Sequence, residues 1–194
     1  MIVILDNGSQ YTHLIKRNFR DMGLDTEIIN TREKYENAEA SLAKATAIVL
    51  SGGPNSVYLE KEETLSRKVC TLIKDGKLKK PLLGICYGQQ MIGYVWGAPV
   101  AKGPSAEYGY SEIIVDHEDE LFKGVPKQFR AWVSHYDEVK EAPKGFIALA
   151  HSTTCKIEAM KHEKLKIYSV QFHPEVWHTE HGELILKNFL EAIK

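Results

Sequence analysis

An α/β fold on one open twisted sheet is the architecture the sequence predicts, with a parallel core, antiparallel additions and helices on both faces. Three observations predict it. Apolar runs of strand length recur through the first half. Amphipathic stretches of helical spacing separate them. The second half switches to short strand-like runs divided by turn residues. Strand–helix–strand repeats with continuously apolar strands belong to parallel sheets covered on both faces, whereas close-set strands without helices between them pair antiparallel.

Met1–Leu5 opens the chain as a buried-type strand. Ser9–Met22 follows as a helix, with Tyr11, Leu14, Ile15 and Phe19 on one stripe and Gly23 as its stop. Asp25–Asn30 and Ala45–Leu50 are the next strands, the latter ending at Ser51-Gly52-Gly53-Pro54. Lys61–Lys74 is a helix with Leu65, Val69, Leu72 and Ile73 on one face. Pro81–Ile85 is a fourth strand and Gly88–Trp96 a helix closed by Gly97. Tyr110–Val115, Phe129–Ser134, Phe146–Ala150, Cys155–Met160 and Ile167–Phe172 are expected as antiparallel strands, and Leu184–Ile193 as a closing helix.

The chain has 194 residues, 43% of them hydrophobic. That length suits one domain over residues 1–194, and no linker, internal repeat or low-complexity stretch divides it. Lys and Arg number 25 against 26 Asp and Glu, for a net charge of −1. This balance excludes a general binder of nucleic-acid backbone, which needs a basic surplus. Lys77-Leu78-Lys79-Lys80 reads as a solvated turn. No apolar run approaches the roughly 18 residues of a membrane span. The apolar N-terminus has no basic region before it, so it is not expected to be a signal peptide. Three cysteines, an odd and sparse count, fit a reducing compartment, and the expected location is the cytoplasm.

The sharpest chemical signal is Gly84-Ile85-Cys86-Tyr87-Gly88. A strand runs into a helix with a cysteine at the junction and glycine two residues to either side, the nucleophile-elbow pattern with Cys in place of Ser. A tight strand-to-helix turn strains the backbone at the nucleophile, and side chains at the flanking positions would collide. The helix N-terminus favours the thiolate. Cys70, in mid-helix, and Cys155, at a strand start, read as structural.

A thiol nucleophile needs a base and a group to orient it. His173 ends the last strand, Pro174 stiffens the chain, and Glu175 can hold one imidazole nitrogen. The glycine turn at Gly53 lies beyond the carboxyl end of a parallel strand, where such sheets bind ligands. Its N–H and that of Tyr87 are candidate oxyanion donors. A phosphate cradle would need a G-x-x-x-x-G-K-[ST] or G-x-G-x-x-G sequence, and neither occurs.

Taken together, Ser51-Gly52-Gly53-Pro54, Gly84-Ile85-Cys86-Tyr87-Gly88-Gln89-Gln90 and Val170-Gln171-Phe172-His173-Pro174-Glu175 resemble the class I, triad-type glutamine amidotransferases. Asp6-Asn7-Gly8-Ser9-Gln10-Tyr11, Trp132-Val133-Ser134-His135-Tyr136-Asp137 and Val176-Trp177-His178-Thr179-Glu180 narrow the resemblance to the separate glutaminase subunits of archaeal-type GMP synthases built from two chains. The likeness runs from about residue 1 to residue 190 and includes no ATP-pyrophosphatase domain.

The resemblance implies a flavodoxin-like class I amidotransferase fold. It implies Cys86 as nucleophile, His173 as base and Glu175 as orienting acid. It implies Gly53 and Tyr87 as oxyanion donors, and Gln90, Ser134 and Tyr136 as contacts to L-glutamine. Gln89 stands where many relatives have His, and Tyr136 where glycine is expected. The ammonia would pass to a separate ATP-pyrophosphatase subunit that converts XMP to GMP. No cofactor is expected in this chain; ATP and Mg are expected on the partner. Asp137, Glu138, His178, Thr179 and Glu180, polar and next to catalytic residues in sequence, are candidate partner-facing residues.

Other readings remain at this stage. Another ammonia acceptor, or a cysteine hydrolase or peptidase on the same fold, would use the same triad. A decayed flavodoxin-like binding module would be expected to have lost a member of it. A metal site at His173, Glu175, His178, Glu180 and His181 is disfavoured, because His173 and His178 are five residues apart and share no helical face. Ser134, His135 and Asp137 cannot form a serine triad from one strand, where neighbours point to opposite faces.

Overall fold

Apolar residues on both faces of a strand must be covered from both sides, and the first half of the chain meets that demand with crossover helices. A computed structural model describes residues 1–194. In chain order the elements are β1 (Ile2–Asp6), α1 (Thr12–Asp21), β2 (Thr26–Asn30), α2 (Tyr35–Lys44), β3 (Ala47–Leu50), α3 (Leu65–Lys74), β4 (Leu82–Ile85) and α4 (Tyr87–Val95). The second half contributes β5 (Val100–Val115), β6 (Gln128–Val139), β7 (Phe146–His151), β8 (Ala159–His162), β9 (Ile167–Val170) and α5 (Gly182–Ala192).

All nine strands join one sheet in the order β2-β1-β3-β4-β9-β8-β7-β5-β6. Pairing is parallel from β2 across to β9 and antiparallel from β9 out to β6. One face carries α1 and α5, with Ile15, Phe19, Leu186 and Phe189 packed on Ile2, Ile4, Val49 and Ile85. The other carries α2, α3 and α4, with Leu42, Val69, Met91 and Ile92 packed on Val3, Leu5, Ile48 and Leu50. Each fully buried aliphatic side chain contributes about 1.5–3 kcal/mol relative to exposure. The Thr64 hydroxyl caps α3 by accepting the Arg67 N–H at 3.3 Å.

Three expectations need correction. Ile167–Val170 is not simply one of the antiparallel additions: β9 pairs parallel with β4 and antiparallel only with β8. It is the fifth strand of the parallel core, and this places its carboxyl end beside that of β4. The strand expected at Cys155–Met160 begins at Ala159, because Cys155 sits in a turn whose N–H donates to the Ser152 hydroxyl. A helix also forms at Tyr35–Lys44, where the apolar pattern is faint because only Ala38 and Leu42 are buried.

Candidate active site

The carboxyl ends of β3, β4 and β9 converge on one spot. At β4 the backbone turns directly into α4, and Cys86 takes φ 53° and ψ −108°. A non-glycine residue rarely adopts a positive φ, so the turn is strained at this residue. The flanking glycines are required by space. A Cβ on Gly84 would come 2.6 Å from the Gly88 carbonyl, and one on Gly88 would come 2.5 Å from the Leu50 carbonyl oxygen.

His173 follows β9, and its backbone N–H donates to the Trp132 carbonyl at 2.9 Å. Its Nδ1 lies 2.9 Å from Oε1 of Glu175. The ring of Tyr11 packs edge-on against the imidazole, with centroids 4.9 Å apart. Cys86, His173 and Glu175 are all buried. Burial by itself would lower the His173 pKa, but the negative charges of Glu175 and Cys86 and its bonds to both hold it well above the ordinary imidazole value. The structure therefore brings the expected nucleophile, base and orienting acid into one line. By contrast, burial pushes the thiols of Cys70 and Cys155 up, which leaves them unreactive.

Two cavities meet at the sulfur. One of about 310 Å³ is lined by Gly8, Gln10, Tyr11, Gly53, Cys86 and His173. The other, about 400 Å³, is lined by Gly53, Cys86, Gln90, Ser134, Tyr136 and Asp137. The expected oxyanion and substrate residues thus face the cavities, Tyr87 through its backbone beside the sulfur. No group within the chain accepts the N–H of Gly53 or of Tyr87. The Ser134 carbonyl faces Sγ at 3.8 Å. Gln90 is committed through Nε2 to the Asp137 carbonyl at 2.7 Å. Tyr136 is half-exposed, with Lys102 Nζ 5.0 Å from its ring centroid. Gln89 is structural: it donates to the Ile157 carbonyl at 2.7 Å and accepts from Ser169 at 3.0 Å.

Residues to which the sequence pattern assigned no role hold this geometry. The Asn7 side chain donates to the Ser51 carbonyl at 2.9 Å, and its backbone N–H donates to the Ser51 hydroxyl at 2.9 Å. Ser66 in turn donates to Asn7 Oδ1 at 2.6 Å. A Cβ on Gly53 would come 2.6 Å from the Asn7 carbonyl oxygen, so the glycine turn is moulded on Asn7. The only sequence signal was the nearness of Asp6–Tyr11 to the end of the first strand.

The expected partner face is largely wrong. Asp137, Glu138 and Thr179 are buried. Asp137 accepts from Ser56 and Tyr58, and Glu138 pairs with Lys140 at 2.7 Å. The Thr179 hydroxyl donates to the His173 carbonyl at 2.6 Å and accepts the Trp132 N–H at 2.9 Å, which ties the triad loop to β6. His178 stacks between Trp132 and Trp177, and Glu180 pairs with Arg130 at 2.9 Å. The exposed groups beside the site are instead aromatic: Trp177 (83% exposed), Tyr108 (77%) and Tyr110 (57%).

The alternatives fare as geometry dictates. Ser134, His135 and Asp137 turn to Cys86, Glu107 and Ser56 respectively, so no serine triad forms. His173, His178 and Glu180 likewise engage different partners.

Comparison with known proteins agrees with this geometry. Residues 3–193 match the model of the family "Glutamine amidotransferase class-I". The glutamine-hydrolysing subunit of a GMP synthase from Methanocaldococcus jannaschii is 46% identical over 99% of this chain and 97% of its own. The corresponding subunit from Pyrococcus abyssi is 49% identical over 97% of this chain and 96% of its own. A crystal structure from Thermoplasma acidophilum, described as a candidate for the same GMP synthase subunit, superposes with a TM-score of 0.87 at 34% identity, covering 99% of this chain and 92% of that one. A glutamine amidotransferase from Thermotoga maritima gives 0.78 at 25% identity, over 98% and 80% of the two chains. The chain belongs to the class I glutamine amidotransferases.

Proposed function

We propose that this chain is the glutaminase subunit of a GMP synthase and that Cys86, His173 and Glu175 carry its chemistry. The observation that carries the reading is the buried Cys86–His173–Glu175 line facing two unengaged N–H groups across a cavity. The Cys86 sulfur attacks the side-chain amide carbon of L-glutamine. The N–H groups of Gly53 and Tyr87 stabilise the tetrahedral oxyanion, each by about 3 kcal/mol when preorganised. His173 gives its proton to the departing ammonia and then takes one from water, which hydrolyses the glutamyl thioester. Glu175 keeps the ring turned for both steps.

Ammonia released without an acceptor is lost, so turnover belongs with a partner that consumes it. The relatives above are each named as one subunit of a GMP synthase, which supports a separate partner. That partner is an ATP-pyrophosphatase subunit; ATP and its Mg bind there, where XMP is activated. Asp137, Glu138 and Thr179 are withdrawn as partner contacts. The exposed aromatic rim of Trp177, Tyr108 and Tyr110 takes their place, with Glu180 beside it. No helix is long and apolar enough to cross a membrane, which is compatible with a cytoplasmic pathway enzyme. The test is to mix the chain with the candidate synthetase subunit, XMP, ATP, Mg and glutamine. Glutamine-dependent GMP formation is expected, with weak glutaminase activity from the chain alone. Full partner-independent turnover, or glutaminase activity without GMP, would overturn the assignment.

A further inference from the structure

Away from the sulfur, β5, β6 and the turn before β8 bring together three side chains of the kinds that ligate metals. Glu107 and His135 are cross-strand partners, and Glu158 approaches from the turn. One potential ligand atom from each lies within 4.8 Å of the other two. The His135 side chain is 2% exposed, that of Glu107 is 11% exposed, and Glu158 is fully buried.

Hydrogen-bond accounting fails at this cluster. Both carboxylate oxygens of Glu158, Oε2 of Glu107 and both ring nitrogens of His135 have no hydrogen-bond partner. His135 Nε2 and Glu107 Oε2 approach to 3.0 Å, yet at angles that make no hydrogen bond. Only Oε1 of Glu107 is engaged, by the hydroxyls of Thr154 and Ser111. Buried carboxylates are normally paired or bound to a cation, because an isolated charge in a dry interior is costly. The nearby ammonium of Lys140 is already committed to Glu138. Burial, with added repulsion from Glu107 and Glu138, pushes the Glu158 pKa up to about 8.

We propose that Glu107, His135 and Glu158 form a binding site for one divalent first-row transition cation. A neutral imidazole and two carboxylates balance a double positive charge, and this donor set suits Zn²⁺ and its neighbours in that row. Bonds of about 2.1 Å allow donor separations up to about 4.2 Å, so the trio closes by only a few tenths of an ångström. The site is separate from the reacting atoms. It clips the β5–β6 ribbon to the segment entering β8. His135 follows Ser134, so the clip also braces the wall of the Cys86 cavity. The clip works in the same way whichever ammonia acceptor the enzyme serves.

The test uses the full chain carrying Cys86→Ala, which removes the one cavity thiol able to compete for zinc. The protein is stripped with chelator and titrated with Zn²⁺ against a chromophoric competitor, and Tm is measured with and without the ion. The expected result is one Zn²⁺ per chain and a higher Tm with metal. Adding Glu158→Gln, or separately His135→Gln, should weaken binding at least tenfold and abolish the Tm increase, while circular dichroism shows each variant folded. The absence of one-to-one binding in the parent would overturn the proposal, and so would binding that both substitutions leave unchanged. Either result would leave Glu158 as a carboxyl neutralised by a proton.

Discussion

His173 and Glu175 meet at 2.9 Å between Nδ1 and Oε1, although only Pro174 separates them in sequence. The contact is so local because the chain leaves β9 and is pinned at once: the Thr179 hydroxyl holds the His173 carbonyl, and the Trp132 carbonyl holds its N–H. One ring nitrogen is thereby fixed, and the other is left for the sulfur. Replacing Glu175 with Gln keeps the shape and removes the charge. Steady-state glutaminase kinetics in the presence of the partner should show kcat reduced by about 10²–10⁴-fold with KM little changed. The His173 pKa, now held up partly by Glu175, should fall, so the alkaline limb of the pH–rate profile should move to lower pH. An unchanged alkaline limb would mean that Glu175 does not tune the imidazole.

The elbow glycines make a steric prediction. A methyl group at Gly88 would point into the Leu50 carbonyl, which is backbone and cannot swing away. Gly88→Ala should lower the urea-unfolding free energy by about 1–3 kcal/mol, the usual cost of overpacking, and reduce activity as the turn shifts. Gly76→Ala is a useful control for strain without a clash: its Cβ would meet nothing within 4 Å, but its φ is +73°. It should cost stability and leave activity unaltered.

The buried carboxyl of Glu158 makes the stability of the metal-free chain depend on pH. Its folded pKa is about 8, against an ordinary value of 4.5. A group whose pKa is raised by folding adds stability that is complete below the unfolded value and is lost as pH rises through the folded one. Between pH 5 and pH 8, wild type in chelator should therefore lose stability relative to Glu158→Gln. Parallel thermal melts across that range check the sign. A constant difference between the two proteins would show that the carboxyl does not titrate there.

Trp177 is 83% exposed and sits beside the triad loop. Trp177→Ala should change the stability of the isolated chain by less than about 0.5 kcal/mol, as surface substitutions usually do. If the aromatic rim receives the synthetase, the same substitution should weaken the complex of the two proteins, read by calorimetric titration, and blunt the partner's stimulation of glutaminase activity. A complex as tight as that of wild type would remove Trp177 from the interface.

The parallel half of the fold was readable because β1, β3 and β4 are apolar on both faces, and few other structures bury such runs. The triad was readable because an elbow and a strand-end His-Pro-Glu are local patterns. The direction in which β9 pairs was not, since periodicity reports which faces are buried and not which neighbour runs alongside. Helix α2 was hidden because Ala38 and Leu42 make a weak stripe. Asp137 and Thr179 looked like surface residues because their partners, Ser56 and Trp132, are 81 and 47 positions away. The same holds for the Glu107, His135 and Glu158 cluster. The strand register of β5 and β6 and the turn before β8 bring it together, and no local motif announces that.

The most direct measurement is the intact mass and peptide map of the chain after reaction with a glutamine-mimicking alkylator, with the synthetase and its nucleotides present. A single adduct on Cys86 is predicted, with protection by excess glutamine and no adduct on Cys70 or Cys155. A fully active Cys86→Ala chain, or an adduct that forms elsewhere while Cys86 stays free, would contradict the role given to this thiol.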